Sequence, residues 1–268
     1  MAKGQRLDRL LVERGLAPSR ERARSLILAG RVTVGGAPAG KAGAAYPPDA
    51  AIALREDPCP YVSRGGLKLA AALDAFSVSP AGRFCLDVGS STGGFTDCLL
   101  QRGARRVACV DVGEGLLDWT LRNDPRVAVI EGVNARYLTR EAFARAAGEE
   151  RPDLAAVDLS FISAAKVLLS VRALLAPRAD LIVLVKPQFE VGRGKVGKGG
   201  IVRDPALHRE ALDAVWDWAA GRDLGPRGAC ASPVRGAKGN REFFLRLVPG
   251  ELAAEREACV GAALREAP

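Results

Sequence analysis

The sequence predicts an α/β fold: a doubly wound sheet of seven strands, preceded by a small α+β unit. Three observations carry that reading. Short apolar runs alternate with helix-like segments across residues 84–248, as strands do when helices pack on both faces of a sheet. One run, Phe84–Val88, stops at Gly89 and passes through a small-residue turn into a helix, the opening unit of such a sheet. Ahead of it, residues 1–57 carry a leucine stripe, a helix cap and a glycine turn of their own.

In that first unit Leu7, Leu10 and Leu11 make the apolar stripe of a helix that ends at Gly15. Ser19 caps a second helix, with Ala23, Leu26 and Ile27 facing inward and Arg20, Arg22 and Arg24 turned outward. Gly30 closes it, and Arg31-Val-Thr-Val34 followed by Gly35-Gly36 reads as a strand and tight turn. The segment holds ten Lys and Arg against six Asp and Glu. Glu56-Asp-Pro-Cys-Pro60 leads into a linker, assigned to residues 58–63, because two prolines stiffen the chain and remove backbone donors. The larger unit then spans 64–268. It begins with a glycine-marked turn and a helix bearing Lys68, Leu69, Ala72 and Leu73; taken alone, Lys68 reads as a surface lysine.

The stretch Cys85-Leu-Asp-Val-Gly-Ser-Ser-Thr-Gly-Gly-Phe95 organises the larger unit. Ligands bind at turns on the carboxyl edge of a parallel sheet, and Gly89, Gly93 and Gly94 let backbone approach one closely. The spacing Gly89-x-x-x-Gly93-Gly94 is not the dinucleotide fingerprint. Asp87 would repel a pyrophosphate but can accept hydrogen bonds from a cationic amino group. S-adenosylmethionine therefore fits better than a dinucleotide, with Ser90 and Phe95 completing the contacts of the turn.

The second strand, 106–112, delivers Asp111, a carboxylate suited to ribose hydroxyls. Trp119 either flanks an adenine or belongs to the core. Asn134, after a third strand at 127–131, either bonds the adenine or shapes its loop. A charged helix fills 140–150. The fourth strand ends in Asp158 and the fifth in Lys186-Pro187. A lysine delivered by a central strand is partly desolvated, and proline cannot continue the ladder, so Lys186 reads as functional from its position. Gly192-Arg-Gly-Lys-Val-Gly-Lys-Gly-Gly200 is a mobile basic loop that either closes over an RNA backbone or simply connects. His208, the only histidine, reads as structural. Two strands at 229–233 and 242–248, paired antiparallel, and a terminal helix at 251–268 complete the chain.

The totals exclude several classes. Apolar content of 48% and charged content of 26% suit a soluble globular protein, and no apolar run approaches the ~20 residues that span a bilayer. No basic segment followed by an apolar one opens the chain, so a cytoplasmic location is expected. The net charge of +8 favours a polyanionic partner, nucleic acid before membrane, although arginine-rich usage also follows from a GC-rich genome. The six cysteines include no Cys-x-x-Cys pair, and Cys85 and Cys109 sit inside strands. Reduced thiols are expected, with no zinc, no other metal and no disulfide framework.

Two sets of motifs carry a resemblance to known families. Arg6-Leu-Asp-x-x-Leu, Ser19-Arg20-x-x-Ala23 and Ile27-x-x-Gly30-x-Val32-x-Val34 resemble the S4 RNA-binding domain. That resemblance implies a structured RNA partner met by Arg6, Arg20, Arg24 and Arg31. Lys186-Pro-Gln-Phe-Glu and Gly239-Asn-Arg-Glu-Phe-Phe resemble the FtsJ-like ribosomal RNA 2′-O-methyltransferases, class I enzymes with a Rossmann-like sheet. With Tyr61-Val-Ser-Arg-Gly-Gly-Leu-Lys-Leu between them, the whole chain resembles the TlyA family. The family implies S-adenosylmethionine-dependent methylation of cytidine 2′-hydroxyls in the ribosomal RNA of one or both subunits. It also implies a Lys-Asp-Lys-Glu tetrad, which falls on Lys68, Asp158, Lys186 and Glu242. Arg64, Lys195 and Lys198 are the RNA-facing cations expected in the larger unit.

The implied chemistry suits these residue types. A ribose hydroxyl must lose its proton as a methyl group arrives in line. Lys186 serves either as a base, if burial and nearby Lys68 favour its neutral form, or as a cation that stabilises the developing alkoxide. Asp158 and Glu242 would orient the lysines and the hydroxyl. Three rivals are weaker. A decayed methyltransferase acting as an S4-containing assembly factor conflicts with the intact glycine turn and tetrad positions. A membrane-active haemolysin would need a spanning segment or a long helix with an apolar face opposite lysines. A nicotinamide-dependent oxidoreductase conflicts with the glycine spacing.

Overall fold

A computed structural model describes residues 4–17, 19–28, 31–39, 41–54, 59–236 and 238–266. The chain divides into two compact units, Met1–Pro60 and Tyr61–Pro268. Gly30 and residues 55–58 lie outside the described residues. Residues 61–63, expected as linker, instead belong to the second unit, where the Val62 N–H donates to Asp97 Oδ2 at 2.8 Å.

The first unit runs β1 (Gln5–Arg6), α1 (Leu7–Glu13), α2 (Arg20–Leu28), β2 (Val32–Val34), β3 (Ala37–Pro38), β4 (Ala45–Tyr46) and β5 (Ile52–Leu54). The leucine stripe does what its spacing implies: Leu7 and Leu11 meet Ala23, Ile27 and Val32 in a small core. Gly35 and Gly36 both hold positive φ, at 59° and 83°, the geometry of a two-residue hairpin turn, and Val34 pairs with Ala37 across it. The strand β2 is the centre of an antiparallel sheet ordered β3-β2-β5.

The second unit runs α3 (Gly65–Ala75), β6 (Phe84–Val88), α4 (Gly94–Gln101), β7 (Arg106–Val110), α5 (Trp119–Arg122), β8 (Val127–Ile130) and α6 (Arg140–Ala147). It continues through β9 (Leu154–Val157), α7 (Ala165–Leu174), β10 (Asp180–Val185), α8 (Pro187–Glu190), α9 (Pro205–Ala220), β11 (Pro226–Ala231), β12 (Phe243–Leu247) and α10 (Arg256–Arg265). Seven strands form one sheet, ordered β11-β12-β10-β9-β6-β7-β8, in which β12 runs antiparallel to both its neighbours and the other pairings are parallel. The central strands read as unbroken apolar runs because helices cover both faces. Leu86 and Val88 point into one core with Phe143, Leu168 and Trp216, while Cys85 points into the other with Leu69, Phe95 and Leu99. Burial pushes the Cys85 and Cys230 thiols up to about 12, as expected of cysteines acting as small hydrophobes.

The two edges of the sheet differ in chemistry. At the amino edge Arg83 bridges Asp153 at 3.2 Å and Asp180 at 2.9 Å, and Arg246 meets Asp180 at 2.8 Å, tying β6, β9, β10 and β12 together. At the carboxyl edge β6 has β7 on one side and β9 on the other, so successive crossovers leave in opposite directions and open a crevice above β6.

Candidate active site

Two clefts meet at that crevice and share Gly89, Ser91 and Asp158. One, of about 330 Å³, is bordered by Arg64, Lys68, Ser90, Phe95 and Arg235. The other, of about 540 Å³, has apolar walls from Val112, Leu116 and Ile162, with Asp111, Asn134, Ser160 and Lys186 as its polar groups. The turn that separates them is built by backbone geometry. Ser91 adopts φ 47°, unusual for a residue with a Cβ, and its N–H donates to Asp111 Oδ2 at 2.7 Å. Asp111 Oδ1 accepts from the Gly113 N–H at 2.7 Å. Both carboxylate oxygens are thereby oriented, and each keeps a further lone pair for a ligand. Asn134 caps the turn after β8 by accepting from the Arg136 N–H at 3.0 Å, so its amide N–H₂ is the group turned to other uses.

The four tetrad positions come together as two lysine–carboxylate pairs. Lys68 Nζ, from α3, lies 2.5 Å from Glu242 Oε2, just before β12. Lys186 Nζ, at the end of β10, lies 2.5 Å from Asp158 Oδ1 and donates to Ser160 Oγ at 3.0 Å. Three of these side chains are nearly enclosed, at 12% exposure for Lys68, 3% for Glu242 and 10% for Lys186; Asp158, at 23%, faces the clefts. Charges this enclosed are held only when paired, which each is.

Several expectations need correction. Asp87 borders neither cleft: it is fully buried, and its Oδ2 accepts from Thr96 Oγ1 at 2.7 Å. Burial, reinforced by the Asp158 and Asp111 carboxylates and opposed by the Thr96 bond, pushes its pKa up to about 7. The glycines of the turn, of which Gly89 and Gly94 border the smaller cleft, are also demanded by packing within the protein. A Cβ on Gly89, at φ 84°, would collide with the Asp158 carbonyl, one on Gly93 with Leu117 and Leu121, and one on Gly94 with Ser63. Trp119 is neither core nor cleft wall, with 73% of its surface exposed.

The basic loop, expected as mobile, carries local structure. It contains a 3-10 turn at Arg193–Lys195 and a bridge between Gly197 and Ile201. Asn240 pins it by accepting from the Val202 N–H at 2.9 Å and donating to the Gly200 carbonyl at 2.8 Å. Lys195, expected to face RNA, is engaged by Glu210 at 2.6 Å, whereas Lys198 is exposed. His208 Nε2 bonds the Val202 carbonyl at 3.0 Å beneath the same loop, a structural role. Arg64 borders the smaller cleft, and in the first unit Arg31 is half-buried ahead of β2. Arg6, Arg20 and Arg24 all contact Asp8.

Sequence reasoning missed Ser91, Ser160 and Arg235, and gave no role to Glu190, which ends the quoted Lys186-Pro-Gln-Phe-Glu motif. Ser160 had a local signal, two residues after a strand-end carboxylate; Arg235 reaches the site through the tertiary fold.

The model of the FtsJ-like methyltransferase family matches residues 61–248, and that of the S4 domain matches residues 5–49. The chain is 49% identical over 248 residues to the 16S/23S rRNA (cytidine-2′-O)-methyltransferase TlyA of Mycobacterium tuberculosis, covering 92% of this chain and 91% of that one. It is 38% identical over 243 residues to hemolysin A of Brachyspira hyodysenteriae, covering 91% and 99%. A solved structure described as a candidate hemolysin from Streptococcus thermophilus superposes with a TM-score of 0.73 at 36% identity, covering 97% of this chain and 96% of that one. With an S4 domain at its amino end and a methyltransferase unit behind it, the chain belongs to the FtsJ-like methyltransferases and, within them, to the TlyA family.

Proposed function

We propose that this protein methylates cytidine 2′-hydroxyls of ribosomal RNA, using S-adenosylmethionine and working in the cytoplasm beside its substrate. The observation that carries the reading is the pairing of Lys68 with Glu242 and Lys186 with Asp158 where the two clefts meet. The residues of the larger cleft fit the donor's nucleoside: apolar walls for a flat base, Asp111 for ribose hydroxyls and the Asn134 amide for a ring nitrogen. Arg64 and Arg235 put positive charge at the smaller cleft. When bound, the donor supplies a methyl carbon on a cationic sulfur.

The side chains of the protein do the rest. Asp158 holds Lys186 where the target hydroxyl would enter, and Ser160 fixes the same ammonium from a second direction. Lys186 would stabilise the oxygen's developing negative charge as its proton passes to water and the oxygen gains the methyl carbon in exchange for that carbon's bond to the donor sulfur. Glu242 holds Lys68 as a second cation beside the shared wall. No helix among the described residues is long and apolar enough to cross a membrane.

The test is transfer of labelled methyl from S-adenosylmethionine to purified ribosomal subunits lacking the modification, with Lys186→Ala alongside. Label should appear on a cytidine ribose and fall by roughly 10²–10⁴ in the variant, with donor binding nearly unchanged. No label on any subunit would remove the activity, and full turnover by the variant would remove Lys186 from it.

A further inference from the structure

Asp8 is fully buried, the one buried charged side chain among the described residues of its unit. From α1 it engages three arginines at once. Arg6 makes a two-pronged contact, Nε to Oδ1 at 3.0 Å and NH2 to Oδ2 at 2.9 Å. Arg20 NH2 reaches Oδ2 at 3.2 Å and Arg24 Nε reaches it at 3.3 Å, the two lying one helical turn apart on α2. The Arg6 bond, with smaller contributions from Arg20 and Arg24, outweighs burial and holds the Asp8 carboxyl far below the usual carboxylate range. It is therefore ionised at any working pH.

The three arginine side chains are about half exposed, at 45%, 47% and 51%, while the side chain of Asp8 that gathers them has no exposure. Each guanidinium carries five N–H donors and spends one or two on Asp8, so the remaining donors are available to the solvent side. Without the shared carboxylate, three like charges this close would repel one another and spread over many rotamers. With it, they form a patch with a net charge of two whose orientation is set before any ligand arrives. Guanidinium forks match phosphate oxygens, and a preset patch avoids the entropy lost when flexible cations are ordered on binding.

We infer that Asp8 is a positioning residue for RNA: it assembles Arg6, Arg20 and Arg24 into one preformed site for the phosphate backbone of a folded RNA. The inference rests on the RNA-modifying function proposed above.

The two explanations of RNA affinity predict opposite signs for Asp8→Asn. That change adds one positive charge to the formal +8 of the chain. If bulk charge governs affinity, the variant binds RNA more tightly. If Asp8 positions the arginines, it binds more weakly, by about tenfold, the equivalent of about one charge-assisted contact, and with a shallower dependence of affinity on salt. The experiment measures binding of an in vitro transcript of 23S ribosomal RNA to the full-length chain across a salt series, with circular dichroism and donor binding as folding controls. Arg24→Lys, which keeps the charge and loses the fork, supplies a second variant that does not depend on Asn being tolerated at the buried position; about threefold weaker binding is expected from loss of one of the patch's oriented contacts. Equal or tighter binding by a folded Asp8→Asn protein, or wild-type affinity in Arg24→Lys, overturns the inference and leaves the methylation reading intact. Failure of the wild-type chain to bind the transcript or either purified ribosomal subunit overturns both.

Discussion

Asp87 carries the clearest electrostatic penalty beside the active site. Its carboxyl is fully buried with one oxygen bonded to Thr96, and burial raises its pKa to about 7, whereas an unfolded chain would ionise it near 3.9. Between about pH 4 and 7 the unfolded chain has therefore released a proton that the folded chain keeps. Raising the pH through that window favours unfolding, by an amount that grows to a few kcal/mol. Asp87→Asn removes this dependence and preserves an acceptor for the Thr96 hydroxyl. Urea unfolding of both proteins at the two ends of the window should show the variant gaining on the wild type as the pH rises. Parallel curves would mean that Asp87 ionises in the fold as easily as in water. A cationic ligand held near the Gly89 turn would offset the penalty, a physical reason for a buried acid to persist there.

At the scale of elements, two segments are fastened together beside the tetrad. Lys186 touches Asp158 and Ser160, Phe189 packs against Phe161 with ring centroids 5.5 Å apart, and Glu190 Oε1 accepts from the Ala164 N–H at 2.9 Å. Pro187 starts α8 at the position where a missing N–H costs nothing. Phe161, between Ser160 and Ala164, adopts φ 67°, an unfavourable backbone conformation for a residue with a Cβ, and is 91% exposed. Glu190, its pKa raised by burial, acts here as a hydrogen-bond acceptor. Glu190→Gln should keep methyl transfer near wild type, while Glu190→Ala should lower it and cost about 1 kcal/mol through the uncapped start of α7. Equal losses of activity in both variants would assign the role to charge instead. The strand ends were legible in the sequence because each apolar run stops abruptly on one charged residue: Asp111, Asp158 or Lys186. Contacts such as Glu190 to Ala164 were not, because apolar periodicity is a local signal and the partner lies 26 residues away. For the same reason the glycine turn was correctly located but its internal packing was not legible. Spacing shows that a Cβ is excluded, and only the fold shows that Leu117, Leu121, Ser63 and the Asp158 carbonyl exclude it.

Over the whole molecule, each unit closes its own core, and the two carry different kinds of recognition. The first has ten basic against six acidic residues across positions 1–57 and offers a half-exposed arginine patch. The second encloses Lys68 and Lys186 against carboxylates and offers a largely apolar cleft. These surfaces should respond differently to salt. Surface guanidiniums that displace counterions from a polyanion lose affinity steeply as salt rises, whereas a cleft that binds through apolar walls and oriented carboxylates does not. If three arginines each neutralise one phosphate, a roughly fourfold rise in salt weakens RNA binding by about 40-fold. Donor affinity over the same range should change by less than about twofold, since no counterion release accompanies it. Titrating the full-length chain with labelled RNA in one series and with S-adenosylmethionine in another checks both slopes. A flat RNA series would place recognition on hydrogen bonding and stacking. A steep donor series would mean that Arg64 and Arg235, with the cleft open to solvent, hold the donor mainly by charge.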